Sequence, residues 1–172
     1  MKYIIVLAFS IIGFSVKAQE PKTAIHPAGN PMLFIDGARV TRIELEKLTP
    51  SEILSVSVYK DSNMAKRAGL DAKDGIIYVT TRAYGKNKYW NYLKSKSSEY
   101  SKIVLTPDAD TTILYILDNH VLKTNIEGQL SLIDDATFKE IRIIDKATLQ
   151  KEYGISSKTY GVIIKTKKSE KL

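Results

Sequence analysis

Histidine, cysteine and paired carboxylates carry much of protein catalysis and metal binding, and this sequence has few of them. Its 172 residues include no cysteine and two histidines. Without a thiol, cysteine nucleophiles and soft-metal thiolate sites are excluded. His26 lies in a segment rich in proline and glycine, and His120 lies in or just after a predicted turn. The pair does not have the spacing of zinc ligands, so we expect neither a metal site nor a cofactor.

Asp36 and Asp118 each follow an apolar run, and they are the best candidates for paired catalytic carboxylates. We expect both to be turn residues instead, because an aspartate in a turn accepts a hydrogen bond from a backbone amide two residues further on. Asp108 and Asp110 could bind calcium weakly, but the glycine and distal glutamate of a dedicated calcium loop are missing. We expect solvated loop aspartates at these two positions.

Other signatures of catalysis or nucleic-acid binding are also missing. No serine lies in a Gly-x-Ser-x-Gly elbow, and the glycines form neither a phosphate-binding loop nor a dinucleotide pattern. The net charge of +7 comes largely from lysines in a linker and a basic tail, while arginine, which suits bidentate phosphate contacts, is sparse. We expect a protein that is not an enzyme and does not bind nucleic acid.

The first 18 residues have the composition of a secretory signal peptide. Lys2 gives a positive start, Ile4 to Val16 form an apolar run, and Ala18 ends a small-residue cleavage pattern. The alternative is a membrane anchor, but the run is shorter than the roughly 20 residues that span a bilayer. We expect cleavage before Gln19, no transmembrane segment in the mature chain, and a cysteine-free protein suited to the periplasm of a Gram-negative cell.

One sequence pattern occurs twice, about 85 residues apart, and indicates an internal duplication. An apolar run that ends in a turn spans 32–37 in the first copy and 114–119 in the second. A glycine that opens an apolar strand begins 75–80 and, again, 161–166. Each copy is predicted to run strand, turn, strand, short helix, strand, helix, strand. We expect the two units to pack about a pseudo-twofold axis, or at least to share a core.

Turn and cap residues mark where the predicted helices and strands of both copies begin and end. Thr49 and Glu52 form a capping box around Pro50, which predicts a short helix before a strand that starts near Val56. A second helix is predicted from Lys60 and ends at a left-handed glycine. The residues assigned to turns, caps and strand starts are Asp36, Gly37, Thr49, Glu52, Gly69, Gly75, Asp118, Asn119, Gly154 and Gly161.

The second copy carries three further predictions. Residues 103–105 and 112–117 are predicted to form an added hairpin. Asp134 and Asp135 are predicted to cap a short helix before the strand at 141–144, and a helix over 148–153 ends at a glycine.

The segment between the copies mixes tyrosine and tryptophan with lysine and serine. Its aromatic residues could form one helical face that packs against a unit, or an exposed surface for a ligand or partner. The residues of this possible surface are Tyr84, Tyr89, Trp90 and Tyr92.

These patterns predict an α+β fold of two small mixed sheets with short helices, joined by a helical linker. The expected organisation is a signal peptide (1–18), a flexible leader (19–30), a first repeat (31–84), a linker (85–102), a second repeat (103–168) and a basic tail (169–172).

Four segments carry a resemblance to a known family. They are 30–37, 48–53, 56–61 and 75–81, and 160–167 looks like the last of them again. In order and spacing the chain resembles the plug domain of TonB-dependent outer-membrane receptors, nearest to the glycan-importing branch. The resemblance implies two plug-like repeats in tandem.

The sequence departs from the family in several places. The receptors continue into a β-barrel of about 22 strands, and no such segment follows here. Asp118-Asn119 replaces the Asp-Gly turn, Ala68-Gly69 stands where the family has Tyr-Gly, and no motif for coupling to TonB is found. The resemblance therefore implies a free-standing plug-like fold in the periplasm, without implying transport.

Two functions follow as expectations. The first is a non-enzymatic periplasmic interaction module that docks on an outer-membrane or envelope protein, by a sheet edge or by the aromatic linker, with peripheral membrane association left open. The alternative is a soluble glycan- or small-ligand-binding protein that uses the linker aromatic residues.

Overall fold

The computed structural model describes residues 29–60 and 74–167 and has two four-stranded mixed sheets. The first sheet contains β1 (Met32–Ile35), β2 (Ala38–Val40), β3 (Ile53–Tyr59) and β4 (Ile76–Thr81), in the order β2-β1-β4-β3. The second contains β5 (Ile113–Leu117), β6 (His120–Val121), β7 (Phe138–Asp145) and β8 (Tyr160–Thr166), in the order β6-β5-β8-β7. The predicted α+β fold with two small mixed sheets is confirmed.

The strands of the two sheets correspond pair by pair. β1 pairs antiparallel with β2 and parallel with β4, and β4 pairs antiparallel with β3. β5, β6, β8 and β7 repeat these three pairings with the same directions. In register, Val56 lies opposite Val79 in the first sheet, and Ile141 lies opposite Ile164 in the second. β3 and β7 are therefore equivalent edge strands.

Short helices follow the hairpins, and a longer pair of helices lies between the sheets. They are α1 (Arg42–Glu46), α2 (Arg82–Lys96), α3 (Ser98–Ile103), α4 (Ile126–Leu130) and α5 (Lys146–Tyr153). α1 and α4 are equivalent, and each buries one leucine, Leu45 or Leu130. α2 begins directly after β4 because the Thr81 hydroxyl caps its first turn, accepting from the backbone N–H of Tyr84 at 3.1 Å. The predicted helical connection is confirmed.

The hydrophobic core is divided between the sheets rather than shared. The largest cluster joins one face of the second sheet to α2, α3 and α4, with Tyr89, Leu93 and Tyr100 from the linker helices fully covered. A second cluster joins the opposite face of that sheet to α5. The first sheet has a small cluster around Leu45 and Val79. Within the described residues no cluster includes buried residues of both sheets, so the expectation of a shared core is wrong.

Two predicted elements of the second copy are also wrong. Ile103 ends α3 and residues 107–112 form a 3-10 helix, so no hairpin forms there. In place of a helix after Asp134, its carboxylate accepts from the backbone N–H of Thr137 at 2.9 Å and closes a turn. β7 then begins at Phe138. Both errors arise because short apolar runs suit a helix or a strand equally until packing decides.

The capping box at Thr49 and Glu52 is present, but it begins a single 3-10 turn over Pro50–Glu52. The predicted helix over 60–70 with Gly69, the signal peptide and most of the leader lie outside the described residues. Within 29–60 and 74–167, no helix is long and apolar enough to cross a bilayer.

Candidate interaction surface

The two turn aspartates bind distant backbone rather than serving as a catalytic pair. Asp36 accepts from the backbone N–H and the hydroxyl of Thr81, both at 2.7 Å. Asp118 accepts in the same way from Thr166, again at 2.7 Å for both bonds. The prediction that each side chain bonds an amide two residues on is therefore wrong. Each carboxylate joins the end of β1 or β5 to the end of the strand beside it.

The hairpin turns explain the residue types found there. Asp36 and Gly37 have φ values of 51° and 91°, and Asp118 and Asn119 have values of 47° and 70°. Two consecutive left-handed residues are typical of the type I′ turn, which matches the twist of a two-residue hairpin. Asn119 also accepts a hydrogen bond from the ammonium of Lys165.

Three predicted glycine positions have separate structural causes. Gly75 has a φ of 88°, and a Cβ there would lie 2.5 Å from the carbonyl oxygen of Tyr59. Gly154 has a φ of 68° and is the left-handed C-cap of α5. Gly161 is crowded by the side chains of Ile144 and Leu149. These positions hold the fold and bring no reactive group together.

The aspartates of the 107–112 segment hold α2 in place. Lys86 lies 3.0 Å from Asp110 and 3.4 Å from Asp108, and the hydroxyl of Tyr89 donates to Asp110. Burial disfavours the charged Lys86 ammonium, but the hydrogen bonds and attraction to these aspartates outweigh it, so the pKa of Lys86 is raised. The side chain of Asp110 is 13% exposed, so the expectation of a solvated loop aspartate is wrong there.

No catalytic or metal-binding constellation appears in the described part of the chain. Within it, no group of three or more histidine, aspartate or glutamate side chains could hold a metal ion.

The aromatic linker residues do not form one exposed surface. Tyr89 is 2% exposed and packs edge-on against Tyr115. The Trp90 indole donates to the carbonyl of Val104 at 3.0 Å, and the Tyr92 hydroxyl donates to Asp135 at 3.0 Å. The expected ligand surface is therefore wrong for Tyr89, and Trp90 and Tyr92 are half-buried. These residues fix α2 to the second sheet, as in the alternative of a packed helix.

Tyr84 is the member of this set that remains exposed, at 45%. It lies five residues before Tyr89 on α2, on the side of the helix that meets the first sheet.

The first sheet exposes apolar side chains on the face that carries its core. Val56 and Val58 lie opposite Val79 and Ile77 in the register, and directly opposed residues point to the same face. Val79 and Ile77 are buried, whereas Val56 is 41% and Val58 is 55% exposed. This side of β3 is an apolar surface that the described residues leave open.

The second sheet shows what covers the same positions there. Ile141 and Ile143 are the equivalents of Val56 and Val58, and both are half-buried in the cluster formed with α2 and α3. On the short helices, Ile43 of α1 is equivalent to Gly128 of α4. Gly128 lies beside α2, while Ile43 is 69% exposed. We name Val56 and Val58 the open face.

Sequence reasoning identified the strand but missed this face. The alternation Ser55-Val56-Ser57-Val58 predicts apolar residues on one side of a strand. It does not predict whether another element covers that side. The repeat contained the information needed to find this face. An aromatic helical segment precedes the second copy, and it can cover this side of the second sheet.

No protein-family model, curated protein or solved structure matches the chain.

Proposed function

We propose that the protein is a non-enzymatic interaction module that binds a protein partner on the open face of its first sheet. The observation that carries the proposal is the unequal covering of two equivalent sheets. α2 and α3 cover Ile141 and Ile143, whereas Val56 and Val58 stay exposed. Clustered exposed apolar side chains on a regular element are typical of interaction sites.

The edge position of β3 adds a second means of binding. β3 is an outer strand of the order β2-β1-β4-β3, so one side of its backbone has no strand neighbour among the described residues. An edge strand of this kind can pair with an extended segment of a partner, whose side chains then contact the face of the sheet. Main-chain hydrogen bonds would supply affinity, and the valines would supply specificity.

The proposed partner is an outer-membrane or envelope protein. The signal-like first 18 residues support export, and the motif resemblance to receptor plugs supports the periplasmic face of the outer membrane as the location. Stacking of a glycan on Tyr89, Trp90 and Tyr92 is not proposed, since Tyr89 is buried and Trp90 and Tyr92 donate hydrogen bonds to neighbouring elements.

Site-specific photo-crosslinking in cells tests the proposal. A photoreactive residue at position 58 should capture a defined envelope protein. The same group at the exposed β7 position Glu140 serves as the control and should not capture it. Val56→Lys should abolish the crosslink without unfolding the protein, because a lysine on the open face disrupts an apolar contact while remaining solvated in the free protein.

Two results would contradict the proposal. One is equal capture at positions 58 and 140, which would indicate non-specific proximity. The other is an unchanged crosslink in the folded Val56→Lys variant, which would place the partner elsewhere.

A further inference from the structure

A cavity of about 340 Å³ lies where the first sheet meets α2 and α4. This volume is in the range of small-molecule sites, about 300–1,000 Å³. Leu54 of β3 and Leu132, after α4, contribute apolar surface, and Tyr84 contributes an aromatic ring. The cavity lies on the other face of the sheet from Val56 and Val58, because the lining residues Ser55 and Thr80 alternate along their strands with Val56 and Val79.

The polar groups of this cavity are available to a ligand. Ser55, Thr80, Lys88 and Asn125 line it, and their side chains have no hydrogen-bond or ion-pair partner among residues 29–60 and 74–167. No buried side-chain nitrogen or oxygen lacks a partner in these ranges, so the polar ends of these side chains reach solvent. Hydroxyl and amide groups of this kind exchange hydrogen bonds with ligand hydroxyls.

The lining of the cavity carries one positive charge. Lys88 supplies the one charged side chain of its lining, and no carboxylate belongs to that lining. The neighbouring cations are already engaged, since Arg82 lies 3.6 Å from Glu127 and Lys86 pairs with Asp110. Lys88 is therefore the ammonium that a ligand anion would meet.

The apolar surface also constrains the ligand. Tyr84 is 45% and Leu132 is 76% exposed. An aromatic ring beside an aliphatic side chain suits a flat C–H face, while the hydroxyl and amide groups require several polar substituents on the same molecule. A plain fatty acid would leave those groups without partners, which carries a free-energy cost.

We infer that this cavity binds a small acidic carbohydrate, with its carboxylate on Lys88, its hydroxyls on Ser55, Thr80 and Asn125, and one ring face on Tyr84. The inference uses a different surface from the proposed protein interface and stands independently of it.

Titration of the full mature chain with D-glucuronate, followed by backbone amide NMR shifts, tests the inference. Saturable shifts are expected at Ser55, Tyr84, Lys88 and Asn125, with a dissociation constant on the order of 1 mM. D-glucose should bind about tenfold more weakly, since it lacks the carboxylate. Hexanoate, which keeps the carboxylate and loses the hydroxyls, should also bind about tenfold more weakly.

Lys88→Met should weaken glucuronate binding about tenfold, whereas Lys102→Met, the same charge change at an exposed position on α3, should leave it unchanged. Asn125→Gly gives a second variant: glycine accepts the φ of 49° found there, so the backbone is kept and the amide is lost. It should also weaken binding.

Three results would overturn the inference. They are the absence of saturable shifts at the cavity, equal binding of hexanoate and glucuronate, and a preference for glucose 6-phosphate over glucuronate.

Discussion

The carboxylate of Asp118 binds both the backbone N–H and the hydroxyl of Thr166 at 2.7 Å, and Asp36 binds Thr81 in the same way. Each bond pair joins residues more than 40 positions apart, at the point where two parallel strands end. The same contact in both sheets fixes the alignment of the hairpin with the last strand.

Replacing Asp118 with asparagine is expected to lower the free energy of unfolding by about 1–3 kcal/mol, because charge-assisted bonds become neutral ones. Asparagine also accepts a left-handed backbone, so the turn itself should survive. Urea unfolding measures the loss. A double-mutant cycle with Thr166→Val should give a coupling energy of at least about 0.5 kcal/mol; additive effects would contradict a direct role for the pair.

Gly161 and Gly154 should respond differently to substitution. Gly161→Ala places a methyl group 2.6 Å from Ile144 and 2.8 Å from Leu149. We expect this overpacking to lower the free energy of unfolding by about 1–3 kcal/mol. Gly154→Ala meets open space but forces alanine into a left-handed backbone, at a cost of about 1–2 kcal/mol. Gly154→Asn should restore part of that loss. Thermal unfolding of the three variants checks the prediction, and a neutral Gly161→Ala would contradict the crowding.

Asp110 and Asp108 form a matched pair on the same segment. Asp110→Ala leaves the largely buried Lys86 without its closest partner and removes the acceptor of the Tyr89 hydroxyl, so we expect destabilisation of about 3 kcal/mol. Asp108 has a side chain that is 93% exposed, so its replacement with alanine should lower the free energy of unfolding by less than about 0.5 kcal/mol. Equal urea midpoints for the two variants would show that Asp110 does not anchor α2.

The buried tyrosines of the second unit make stability depend on alkaline pH. Burial raises the pKa of Tyr100 to about 12, and burial also raises the pKa values of Tyr89 and Tyr115 above the ordinary value of 10.0. Above that value the unfolded chain loses tyrosine protons that the folded chain keeps. The unfolded state then binds fewer protons, so the free energy of unfolding falls as pH rises.

Each of these tyrosines should contribute a slope of about 1.4 kcal/mol per pH unit between the unfolded and folded pKa values, and the tyrosines' own contribution to stability is complete below pH 10. Urea unfolding over this alkaline range, combined with tyrosinate absorbance, measures the slope. Tyr100→Phe removes one titrating group and should reduce the slope by about 1.4 kcal/mol per pH unit between about pH 10 and 12. An unchanged slope would contradict the assignment to the buried cluster.

The duplication made much of the fold predictable from sequence. Turn residues such as Asp36 and Gly37, the capping threonine Thr49 and the C-cap Gly154 signal local backbone conformation through their own chemistry. Repetition of these local signals was sufficient to predict two similar mixed sheets.

Long-range partners were not predictable in the same way. The side chain of Asp36 has an acceptable local explanation, and the sequence gives no sign that Thr81 competes for it. Tyr89 and Tyr84 look alike in the sequence, yet one is buried under the second sheet and the other is exposed at the junction. Lys88 and Asn125 became candidates because three elements converge around them.

The division of the core predicts that the two units differ in autonomy. The 82–167 fragment contains both large hydrophobic clusters, including the tyrosines of α2 and α3, so it should fold alone with a cooperative thermal transition. The 29–84 fragment retains a cluster built on Leu33, Leu45, Ile77 and Val79, and its open face would remain uncovered, so it should unfold without a sharp transition. Circular dichroism and calorimetry of both fragments check this. Cooperative unfolding of 29–84 would mean that the first sheet is stable without a covering element, which would remove the physical reason for expecting a partner there.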